Sequence, residues 1–156
     1  MSITFRSSLF ILLAVAIFAA SPKHVDSPEI WHTKAGVFRL VNTENRNAIL
    51  YQNNRQLRKF DIPGFLRASF RPDGPPGCEL FLLQLNAADS SWFHIIEITQ
   101  GGKHLISPMF GNGGDLPSIL DTSSALEFSF ETLDLPRGKV AAQTWRYENH
   151  ALRQIK

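Results

Sequence analysis

The sequence predicts an all-β protein, an antiparallel β-sandwich or partly open barrel that follows an N-terminal signal helix. Three observations carry this expectation. Short apolar runs alternate with Gly, Pro and Asn punctuation along most of the chain. Leu126, Phe128 and Phe130 alternate with Glu127, Ser129 and Glu131, the period-2 pattern of a strand with one wet face. No stretch beyond the N-terminal apolar run keeps a helical period.

The N-terminal run comes first. Residues 1–8 are polar and carry one positive charge, Arg6. Residues 9–20 (LFILLAVAIFAA) are unbroken apolar or small sequence, ended by Ser21 and Pro22. That order is the order of a secretory signal peptide. A membrane-spanning helix needs about 20 apolar residues, and this run is shorter. A cut after Ala19 is compatible with the small residues that cleavage requires, whereas Phe18 opposes a cut after Ala20 and Pro22 a cut after Ser21. No cysteine follows the run to hold a lipid, and no twin arginine precedes it. The expected organisation is a signal peptide over residues 1–20, a polar lead over 21–35 and one β domain over 36–156. The expected location is the periplasm or exterior of a Gram-negative bacterium, with no stable membrane anchor after processing.

Within the domain, residues 37–41 form the first expected strand. Residues 48–52 and 55–60 flank Asn53-Asn54, a pair suited to the positive φ of a two-residue primed turn, with Leu50 expected opposite Leu57. Residues 65–70 follow Pro63-Gly64. Residues 71–77 (RPDGPPG) are a loop, because three prolines cannot donate to a ladder. Residues 79–85 (ELFLLQL) are apolar on both faces, as in a central strand covered on both sides, and residues 92–98 (WFHIIEI) are a second such strand. Gly101-Gly102 turns the chain into residues 104–107, GNGG over 111–114 is a glycine loop, and 118–121 is a short strand. Residues 140–147 and 151–155 close the chain as a hairpin around Glu148-Asn149-His150.

From Cys78 to Leu116 the chain resembles a group of small exported proteobacterial β-rich proteins, most of them uncharacterised and some inhibitor- or immunity-like. The resemblance rests on a Cys-bearing strand, an aromatic strand, a Gly turn, then Ser107-Pro108-x-Phe110-Gly111 followed by Asp115-Leu116. In that group a second cysteine often follows the Phe-Gly. Here that position is Gly113. The resemblance implies a structural motif rather than a catalytic one.

Cys78 is the sole cysteine, so an intrachain disulfide is excluded, and it reads as a small buried apolar residue. The histidines are His24, His32, His94, His104 and His150, and none sits in a zinc-type spacing. His94 shares a strand face with Trp92, Ile96 and Ile98 and reads as a hydrogen-bonded, half-buried residue. The glycine loop gives one copy of a calcium-type glycine-aspartate pattern, too few for ions shared between stacked turns. Glu127 and Glu131 could pair as carboxylates, with a wet sheet face as the ordinary explanation. No Gly-x-Ser-x-Gly is present. No catalytic residue, metal ligand or cofactor is therefore assigned.

Net charge is +2, which argues against nucleic acid as a partner. Charge is nonetheless segregated: residues 37–72 hold seven Lys or Arg against Glu44 and Asp61, and residues 73–138 hold nine Asp or Glu against Lys103 and Arg137. The functional expectation is a non-enzymatic protein that binds another protein, as an inhibitor or immunity protein does. A basic cell-wall hydrolase is the expected partner, steered by acidic groups and seated by aromatic ones. The expected contact residues are Asp73, Asp89, Gly111, Asn112, Asp115, Asp121 and Trp31. The alternatives are an envelope-associated structural or accessory domain, and an enzyme or small-ligand binder whose site is assembled from distant strands.

Overall fold

The computed structural model describes residues 29–70, 78–99, 101–122, 124–136 and 138–156, which contain fifteen strands and no helix. The expected signal segment and the loop over 71–77, with Asp73, lie outside the described residues.

Strands β1 (Glu29–Thr33), β2 (Gly36–Asn42), β3 (Ala48–Gln52) and β4 (Arg55–Phe60) pair antiparallel in that order as a first sheet. The second sheet holds β5 (Gly64–Phe70), β6 (Glu79–Ala87), β7 (Ser90–Ile98) and β8 (His104–Ile106), with β9 (Phe110–Gly113) also paired to β7. The third contains β10 (Ser118–Asp121), β11 (Leu126–Phe130), β14 (Gln143–Glu148) and β15 (Ala151–Gln154), ordered β10-β11-β14-β15. Between β11 and β14, β12 (Leu133–Leu135) and β13 (Gly138–Val140) make a small separate hairpin.

Two apolar cores show how the sheets stack. Phe38, Leu40, Leu50 and Phe60 of the first sheet pack against Phe81, Leu83, Ile96 and Ile98 of the second. On the other face of the second sheet, Leu80, Leu82, Phe93 and Ile95 pack with Phe110 against Leu126, Phe128, Phe130 and Tyr147 of the third. The arrangement is a three-layer β-sandwich. It explains why β6 and β7 are apolar at successive positions: even and odd residues serve different cores. The alternation in β11 reads correctly, with Leu126, Phe128 and Phe130 at 1 %, 0 % and 4 % exposure.

Tight turns set the registers. Asn53 and Asn54 have φ of 48° and 65°, and Asn149 and His150 have 50° and 63°, the primed geometry that suits the twist of a hairpin. Between β3 and β4 a bulge intervenes, so Leu50 lies opposite Arg58 and not Leu57. The extra residue shifts Leu57, yet its side chain still packs at the margin of the first core. A second revision concerns the polar lead. Glu29–Thr33 is a strand of the first sheet, with Trp31 opposite Phe38, so the β domain begins before residue 36.

The Ser107-Pro108-x-Phe110-Gly111 motif has a structural explanation. β8 pairs with the C-terminal half of β7 and β9 with its N-terminal half. At the junction the Ile95 N–H donates to Ser107 Oγ at 2.8 Å, and the Ser107 N–H donates to Ile95 O at 2.9 Å. The serine side chain thus patches the ladder where Pro108 interrupts it. Phe110 then enters the second core beside Phe93 and Phe128. Gly111 follows at φ +118°, where a Cβ would lie 3.2 Å from Phe93 Cδ2.

Candidate functional site

The β6–β7 hairpin turns at Ala88-Asp89, and the same end of the molecule receives the loop that leaves β9. Ser91 lies opposite Gly113, which brings residues 113–115 beside the hairpin tip. The result is an open cleft of about 350 Å³, lined by Asn86, Asp89, Ser90, Ser91, Asp115 and Leu133 together with the backbone of residues 113–114. An adjoining hollow of about 190 Å³ continues past Asp115 to Leu116, Ser118, Ser129 and Glu131. Neither lining includes a Lys or Arg.

Buried hydrogen bonds hold this end in shape. Gln84, 5 % exposed, donates from Nε2 to Asn86 Oδ1 at 2.7 Å and Ser91 Oγ at 3.0 Å. Its Oε1 accepts from Arg67 Nε at 2.6 Å. Asn112, 6 % exposed, donates from Nδ2 to Glu131 O at 2.7 Å and accepts from the Gly114 N–H at 3.0 Å. The asparagine ties the glycine loop to the end of β11 and fixes where Asp115 points out.

Of the expected contact residues, Asp89 and Asp115 are exposed and share the cleft. Gly111 and Asn112 sit next to it and are largely buried; they shape the loop, and Asn112 also lines the adjoining hollow. Asp121 is at the other end of β10, three residues or ~10 Å along the strand from Ser118. Trp31 packs against the first core, where its ring is more useful than in water. Trp92 and Trp145 also pack on cores. Asn86, Ser90 and Ser91 line the cleft without any sequence signal beyond their place in a turn.

A second polar cluster lies between the second and third sheets. Glu97 of β7 is 2 % exposed, and its Oε2 accepts from the Tyr147 hydroxyl of β14. Its Oε1 accepts from His150 Nδ1 at 2.7 Å. Burial, followed by the Glu97 carboxylate, pushes the Tyr147 phenol well above its ordinary range, so it is a fixed donor. The His150 side chain is 59 % exposed, so the carboxylate orients an imidazole whose other edge is wet. Cys78 is half-buried rather than buried.

The remaining candidates have structural partners. His94 Nδ1 donates to Ser107 O at 2.8 Å, and its ring lies 5.3 Å from that of Phe60. It is 4 % exposed, more buried than its sequence context indicated. Burial lowers its pKa below the ordinary histidine value; the Ser107 bond opposes this and the charge of Arg58 adds to it. Glu127 accepts from Arg146 Nε at 2.9 Å on the outer face of the third sheet, which removes it from a carboxylate pair with Glu131. Among the described residues no three His, Cys, Asp or Glu side chains converge as metal ligands would. No protein-family model, no curated protein and no solved structure matches the chain.

Proposed function

We propose that the protein is an exported protein-binding domain, of the inhibitor or immunity type, that uses the Asp89–Asp115 cleft to seat a basic group of a secreted hydrolase. The observation that carries this reading is the cleft itself: two exposed aspartates beside Asn86, Ser90 and Ser91, with no cation in the lining. A concave, single-sign surface raises the encounter rate of an oppositely charged partner. The apolar run over residues 9–20 supports export. Affinity capture from periplasm and competitor strains identifies the partner. Asp89→Lys and Asp115→Lys are then expected to slow association and flatten its salt dependence. A partner whose binding ignores salt and both substitutions would overturn the reading.

A second reading, an enzyme or small-ligand binder, is favoured by the Glu97–His150 pair. A buried carboxylate that orients a solvent-facing imidazole is the arrangement of a general base. Its test is a ligand or substrate screen read by the His150 ring resonances. A compound that shifts those resonances but leaves Asp115 unmoved would favour it over the cleft.

A further inference from the structure

The first sheet gives one face to its core, through Phe38, Leu40, Ala48, Leu50 and Phe60. The side chains that alternate with these point the other way. The registers set them in two cross-strand rows. Ile30, Arg39 and Tyr51 lie side by side, and so do Val41, Ile49 and Lys59. A sheet face turned from the core is ordinarily polar. Here every member of the two rows except Arg39 and Lys59 is apolar or aromatic. Ile30 and its neighbour Val37 are 52 % and 38 % exposed.

The two cations of this face lack counter-charges. The Arg39 guanidinium lies over the Tyr51 ring, 4.9 Å from its centroid, and its Nε is buried with no hydrogen-bond partner. Among the described residues no carboxylate is within ion-pair distance of Arg39 or Lys59. The outward face of the third sheet is built differently: Arg146 pairs with Glu127, and Arg153 with Glu148. The charge around the first sheet has the same sign as its face. Exposed Arg46, Arg55 and Arg58 stand in its turns and edge strand against exposed Glu44 and Asp61.

We infer that this face docks on an anionic phospholipid bilayer, with Arg39 and Lys59 on headgroup phosphates and the apolar rows at the acyl boundary. Charge complementarity selects an anionic occupant. A guanidinium held over a ring presents its free N–H edge as a fork that matches phosphate. The main-chain groups of β2 and β3 are spent on their neighbours in the ladder, so a peptide lying across the face gains no strand addition. A bilayer surface instead supplies phosphate directly above hydrocarbon over a broad flat area, the mixture that the two rows carry. The inference stands apart from the Asp89–Asp115 cleft, whose lining takes nothing from the first sheet. With few cations involved the docking is reversible and sensitive to salt.

The test places an environment-sensitive fluorophore on the full chain at Ile30→Cys, in a Cys78→Ser background. Its emission is expected to shift to the blue on vesicles of phosphatidylglycerol and phosphatidylcholine, and to stay unmoved on phosphatidylcholine alone. The same label at Leu120→Cys, on the third sheet, is expected to stay unmoved on both. This local readout separates the face from the apolar run over residues 9–20, whose insertion would not depend on headgroup charge. Arg39→Gln is expected to weaken binding about fivefold, and the double change with Lys59→Gln more than about tenfold. Salt at about 0.5 M is expected to release the chain. A label at position 30 that ignores the anionic lipid, an equal shift at position 120, or binding indifferent to Arg39→Gln would overturn the proposal. So would a shift produced by polyglutamate and not by vesicles, which would make the occupant an acidic polypeptide.

Discussion

The imidazole of His150 donates from Nδ1 to the carboxylate of Glu97 at 2.7 Å, across 53 residues of sequence and from one sheet to the next. The other carboxylate oxygen accepts from Tyr147, so a charge placed at 2 % exposure in the central sheet has both oxygens satisfied. The turn residue His150 holds a φ of 63°, where glycine is the usual choice, and this position lets its ring reach back to β7.

Unequal effects are expected from removing the two donors. Tyr147→Phe strands a buried carboxylate oxygen and should cost about 1.5–3 kcal/mol in urea unfolding. His150→Ala should cost less, because water reaches that side of the pair and screens it. Equal losses would mean that the exposed histidine is as important to Glu97 as the buried tyrosine.

His94 should make stability depend on pH. Above about pH 6.5 the imidazole is neutral in both folded and unfolded chains and contributes nothing. As pH falls below that value, the unfolded chain takes up a proton that the buried ring resists, so stability declines until the lowered folded pKa is passed. His94→Gln retains a donor for Ser107 O and removes the titration. Unfolding midpoints at about pH 7.5 and about pH 5 should therefore differ less in the variant than in the parent.

Two substitutions test the second core. Phe128, at 0 % exposure, should cost ~3–5 kcal/mol when changed to Ala. Gly111→Ala adds one methyl at φ +118°, near Phe93, and should cost more than about 1 kcal/mol. A neutral Gly111→Ala would show that β9 can shift away from Phe93.

Half-burial of Cys78 predicts alkylation in the native protein that is measurable and becomes faster on denaturation. Mass spectrometry after timed iodoacetamide exposure checks it. Native labelling as fast as in urea would mean that the thiol is presented to solvent.

The strand inventory was largely legible because turn chemistry and apolar runs are local signals. β11 announced its inner face through strict alternation, and Asn53-Asn54 announced its turn. Residues 79–85 showed a strand covered on both sides, but periodicity does not say by what, so the stacking order had no sequence signal. β1 was missed because only Ile30 and Trp31 of its five residues are apolar, and the edge strand buries only part of one face. The Leu50–Leu57 pairing failed because a bulge adds a residue without altering composition. Asp89 and Asp115 were legible as loop acids, but their meeting depends on β9 pairing with the start of β7, past the break at Pro108. Glu97 with His150 was the least legible of all, since the pair exists only through the contact of two sheets.

The β6–β7 hairpin serves both cores, and neither outer sheet shares a core with the other. Such a chain should lose its outer sheets in separate opening events while its centre persists. In hydrogen exchange, the amides of Leu82, Leu83, Ile95 and Ile96 should report only whole-molecule opening, and those of β1 and β15 should exchange through independent fraying. The same asymmetry marks the hairpin, with its two-residue turn, as the natural nucleus during folding, onto which each outer sheet condenses in its own time.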